Sequence, residues 1–75
     1  MTLNQLGEKL REMYFGSGEG EAVAMTHLFG IKYAAEIKEL GASATSIALA
    51  AGIQKTYGTE INKGIKLAKF VTIKP

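Results

Sequence analysis

The sequence has no cysteine, no tryptophan and no aspartate, and its single proline is the last of 75 residues. Without cysteine there is no disulfide staple, no thiolate zinc site and no thiol nucleophile. One histidine, His27, and no aspartate leave metal-centred and triad chemistry without parts. No apolar run approaches the roughly 18 residues of a membrane span, and the first residues lack the charged-then-apolar layout of a secretory signal. Nor is there an internal repeat of the solenoid kind. These absences set the expectation: a soluble cytoplasmic domain that is not an enzyme. It is expected to need no cofactor or metal, to bind no membrane and to take no small-molecule substrate.

What is present describes a folded chain. Apolar residues make up 47% of it and mean hydropathy is +0.07, which favours a packed core over disorder. At 8.0 kDa, residues 1–75 form a single domain. A chain this short buries only about 60–65% of the surface that its unfolded form exposes, so its stability is marginal. The net charge of +2 is unevenly spread. Met1–Leu40 carries Lys9, Arg11, Lys32 and Lys38 against six glutamates, whereas Gly41–Pro75 carries five lysines against Glu60 alone. A basic half on a small domain is the electrostatic footprint of a polyanion partner.

Thr2-Leu3-Asn4-Gln5 fits a capping box, and Leu3, Leu6, Leu10 and Met13 or Tyr14 recur at helical spacing behind it. The pattern predicts a first helix over Leu3–Tyr14, weakened but not broken by Gly7. Gly16–Gly20 follows a helix and lacks the Gly-Lys-Ser/Thr ending of a phosphate loop, so it reads as a connector. From Glu21 helical spacing resumes, with Ala22, Met25, Leu28 and Phe29 on one side, then Tyr33, Ala34, Ile37 and Leu40. Gly30 is the expected kink or break. Gly41 is a helix stop and Ser43 the cap of a helix over Ala44–Ala51. Only Phe70–Lys74 has β-type residues in a row, which suits a short extended tail. The fold class is therefore all-α, a small bundle of four to five helices.

Ala44–Lys63, ATSIALAAGIQKTYGTEINK, carries the most information. A small residue, Ala48, stands where two helices would cross closely. Gly52 stands where the chain must turn through a left-handed conformation. Ile53 follows to plug the angle between the helices, with Ile47, Ala51 and Ile61 at buried positions. In this register the segment resembles the helix-turn-helix DNA-binding domains of bacterial and phage regulators. One position departs from that pattern: Gly58 occupies the place of a Val or Ile. It removes a core contact, and Tyr57 is the neighbour expected to fill the gap. On helix propensity alone, Gly58→Ala is neutral or stabilising.

The second helix of the motif, about 55–69, has an apolar face of Tyr57, Ile61, Gly64, Ile65 and Ala68. Its other face carries Lys55, Thr59, Asn62, Lys66 and Lys69, with Lys63 at the edge. The resemblance implies that double-stranded DNA is the partner, with Gln54, Lys55, Thr56 and Thr59 near base edges. Lys63 and Lys66 are then expected on the backbone, and Ser43 and Thr45 on a phosphate at the preceding helix start. Met13-Tyr14-Phe15 is more apolar surface than a monomer easily buries, and it suggests a homodimer contact. His27, with no second ligand, reads as a packed or surface residue, and Glu8 and Glu12 beside Arg11 as solvated charges. Two other readings remain. One is a helical protein–protein interaction domain, favoured by Gly58 and Glu60. The other is a helix-hairpin-helix, which ranks last because Gln54 stands at its second glycine.

Overall fold

The computed structural model describes residues Met1–Ile73. The described residues form five helices and no strand: α1 (Leu3–Phe15), α2 (Ala22–Lys32), α3 (Ala34–Leu40), α4 (Ala44–Ala50) and α5 (Tyr57–Leu67). The all-α expectation holds. The capping box forms, with the Gln5 N–H donating to Thr2 Oγ1 at 3.1 Å and the Thr2 N–H donating to Gln5 Oε1 at 2.8 Å. Two N–H groups that the first turn would otherwise leave unpaired are thereby satisfied. Gly16–Gly20 is the expected connector, held by Ser17 Oγ donating to the Tyr14 carbonyl at 2.6 Å.

The principal helix pairs are α2 with α5, α1 with α4, α4 with α5, and α1 with α2. Between them lies one core: Leu6 and Leu10 of α1, Phe29 of α2, Ile37 of α3, Ala44, Ile47 and Ala48 of α4, Ala51 and Ile53 of the turn, and Ile61 of α5. Leu28 is 38% exposed, against the expected face of α2, and Thr26 is buried in its stead. Its hydroxyl donates to the Ala22 carbonyl at 2.8 Å, so the buried oxygen is satisfied within the helix.

The break after α2 falls at Tyr33, not at Gly30. Tyr33 has φ −109° and ψ 16°; its N–H still donates to the Phe29 carbonyl and its own carbonyl accepts from the Ile37 N–H. Gly30 is helical because its bare Cα meets Gly64 of α5. A Cβ on Gly30 would lie 2.4 Å from the Ile61 carbonyl oxygen and 3.0 Å from the Gly64 Cα. One on Gly64 would lie 2.2 Å from the His27 carbonyl oxygen. The two helices thus cross backbone to backbone. Gly7 performs the same service for α1, where an added Cβ would come 2.7 Å from the Ala50 Cβ.

Gly58 is likewise a point of close approach. No gap exists beside it, because α5 closes on the start of α4 there, and an added Cβ would lie 3.1 Å from the Thr45 nitrogen and Oγ1. Tyr57 turns instead to α1, where its ring meets that of Tyr14 edge-on at 5.1 Å. The extended tail starts later than expected. Phe70 and Val71 N–H groups both donate to the Leu67 carbonyl, continuing the chain in turns, and only residues 71–73 are irregular. Lys74, the last residue of the expected tail, lies outside the described residues.

The glycine contacts give a graded test. Gly30→Ala and Gly64→Ala each cost about 2–3 kcal/mol or more, because backbone must move to admit the methyl group. Gly58→Ala stays within about 1 kcal/mol of the parent, the gain in helix propensity offsetting a shift of a few tenths of an ångström. Chemical denaturation of the three variants checks the order. A neutral Gly64→Ala would show that α2 and α5 do not approach this closely.

Candidate nucleic-acid interface

The turn between α4 and α5 is built as its sequence requires. Gly52 has φ 78°, a left-handed conformation that costs other residues more than glycine. The Gly52 N–H donates to the Leu49 carbonyl and the Ile53 N–H to the Ala48 carbonyl, so the turn satisfies two of the carbonyls in the last turn of α4. Ile47, Ala48 and Ile61 are fully buried, with Ala51 and Ile53 nearly so. The five apolar positions that define the motif thus face the core, while Leu49 of α4 is 60% exposed. After the turn, Tyr57, Gly58 and Thr59 N–H groups donate to Gln54, Lys55 and Thr56 carbonyls at 3.0–3.2 Å. Gln54–Thr56 therefore form a tight lead-in, and α5 proper is two residues shorter at each end than the expected 55–69.

All eight residues expected at the site are exposed, but they are not equivalent. Gln54, Lys55 and Thr56 lie on the lead-in, Thr59 on the first turn of α5, and Lys66 farther along it. Among the described residues, none of these five side chains makes a hydrogen bond or an ion pair. Thr45 joins them in space, since it lies at the crossing beside Gly58. Ser43 is occupied: its Oγ accepts from the Ser46 N–H at 3.1 Å and lies 2.8 Å from Ser46 Oγ, capping α4. Lys63 is occupied as well, with its ammonium 3.1 Å from Glu60 Oε1.

Glu60 is not an acidic intrusion on the basic face. Its carboxylate, only 18% exposed, lies between Lys63 and His27 Nε2, the latter 3.1 Å away on α2. These hydrogen bonds, His27 first and then Lys63, hold the Glu60 carboxyl below its ordinary value. His27 is thus a packed residue, as expected, and it ties α2 to α5.

Two residues of α1 support the motif and carry no signal in the sequence. Arg11 Nη1 donates to the Ala51 carbonyl at 3.2 Å, at the C-terminus of α4 where a cation is favoured. The Tyr14 hydroxyl donates to Tyr57 Oη at 3.2 Å, and this bond, with burial, raises Tyr14 above the usual phenol range. Met13 and Tyr14 pack against the core, so of the three apolar residues offered for a dimer contact only Phe15 is well exposed, at 62%, with the Arg11 guanidinium 4.9 Å over its ring.

A left-handed glycine turn, a buried plug after it and a free basic lead-in define a helix-turn-helix domain. The chain belongs to the HTH-like domain family, whose match spans residues 2–74. That membership points in general terms to a DNA-binding, regulator-type role. No match was found among curated proteins or among solved structures. Among the described residues no helix is long and apolar enough to cross a membrane.

Two outcomes follow from this geometry. A depressed Glu60 pKa means that its contribution is fully present above the ordinary glutamate value of 4.5 and is lost as pH falls through the lower folded value. The stability gap between the parent and Glu60→Gln should therefore shrink as pH drops below 4.5, as read by urea titrations. A gap that widened on acidification would refute the ion-pair assignment. Gly52→Val should cost more than about 1 kcal/mol, since a β-branched residue resists positive φ. A neutral shift in melting temperature would place the turn elsewhere.

Proposed function

We propose that this domain binds double-stranded DNA as a small transcriptional regulator or an accessory protein of a mobile element, without catalysis of its own. The lead-in Gln54-Lys55-Thr56 and Thr59 approach the base edges as α5 enters the major groove. Lys66 contacts backbone phosphate, and Lys63 reaches phosphate only by leaving its pair with Glu60. Thr45 adds a backbone contact beside Gly58, while Ser43 acts by fixing the start of α4. A homodimer belongs to the same reading, because two half-sites multiply affinity, and Phe15 is the exposed residue of the expected contact.

One observation supports this reading over the alternatives: the unpartnered lead-in stands directly on the left-handed turn. The case for a protein-interaction domain rested on Gly58 and Glu60. Gly58 is accounted for by the close approach to Thr45, and Glu60 by its bond to His27.

The test is fluorescence anisotropy of the protein with random duplex DNA at low and physiological salt. Binding should fall steeply as salt rises, since phosphate contacts release counterions. Lys55→Glu should weaken binding at least about tenfold with unchanged helicity, by loss of a contact and gain of repulsion. No binding by the folded protein even at low salt would shift the assignment to a protein partner.

A further inference from the structure

A groove of about 490 Å³ lies between α3 and the end of α5, at the opposite end of α5 from the DNA-facing lead-in. Four alanines line it, Ala34 and Ala35 on α3, Ala42 after it and Ala68 after α5, with Ile37 and Ile65 adding larger apolar surface. α3 takes part in none of the principal helix pairs. Its volume falls in the range of clefts that hold small molecules.

Charge decides what fits there. Among the described residues, Lys38 and Lys69 are the only charged residues lining the groove, and neither ammonium has an ion-pair partner. The carboxylates of α3, Glu36 and Glu39, are not part of the lining. Lysines near helix C-termini are ordinary complements to the dipole. An alanine-walled space between two such lysines is a different matter, because it pairs an apolar body with an anionic head. We propose that the groove binds a small amphiphilic carboxylate, an aliphatic or aromatic acid whose apolar part lies over Ile37 and Ile65 and whose carboxylate meets Lys38 and Lys69. This is a ligand site and not a substrate site, and it stands independently of the DNA reading.

Amide NMR spectra of the full chain, titrated with octanoate and with octanol as the uncharged control, test it. Octanoate should shift Ala34, Ala35, Ala42 and Ala68 saturably, with Kd about 1 mM or tighter, a fair affinity for so few heavy atoms. Octanol should bind at least about threefold more weakly, the discrimination expected of two partly exposed charge contacts. The double variant Lys38→Met, Lys69→Met, checked for folding by its melt, should erase that difference. Ala35→Leu, at an exposed position of the wall, should weaken both ligands. Equal octanol and octanoate affinities, or no saturable shift, would overturn the proposal. Shifts of the same alanines on concentrating the protein alone would overturn it too, by showing that a second copy fills the groove.

Discussion

Everything in this domain is arranged around the contact between Gly30 and Gly64. A methyl group on either residue would overlap the backbone of the other helix, so α2 and α5 lie closer than any residue but glycine would allow at the crossing. This crossing is the most extensive helix pairing in the molecule. It lets Phe29 and Ile61 be fully buried in so small a protein, and it places His27 within reach of Glu60. Because the contact is between backbones, the spacing of α5 from α2 at this crossing does not depend on the rotamers of long side chains. The exposed residues of α5 can differ in chemistry without altering how the helix is seated.

A second consequence concerns charge. Glu60 projects to the side where α2 lies, and its pairing with His27 and Lys63 takes one acid and one base out of the exposed set. Among the described residues, those left free are Gln54, Lys55, Thr56 and Thr59 at the turn and Lys66 near the end of α5, a mix of hydrogen-bonding groups and positive charge. That mix suits a surface that must both attract phosphate and discriminate bases.

Much of the fold was legible because its rules are local. The Thr2 and Gln5 box, the Gly41 stop and the Ser43 cap each depend on residues within four positions, and all three form. Gly52 was legible for the same reason, since a left-handed turn leaves a glycine as its mark. Gly30 and Gly58 were misread because glycine has two meanings that sequence does not separate: a weak point in a helix, or a place where another backbone comes close. Only the partner decides, and Gly64 is 34 positions from Gly30. Arg11 and Tyr14 were invisible as supports for a similar reason. Their partners, Ala51 and Tyr57, lie some forty residues away, and no spacing rule connects them.

The part played by α1 bears on modularity. Arg11 holds the end of α4, Tyr14 holds the start of α5, and Gly7 lets α1 lie flat against Ala50. The helix-turn-helix is thus splinted across its joint by a helix that lies outside the motif. Residues 44–63 are not a portable cassette: transplanted to another scaffold, they would keep the left-handed turn and lose what fixes the angle between its arms. Any chimera or shortened version of this domain has to carry α1 and α2 along with the last two helices.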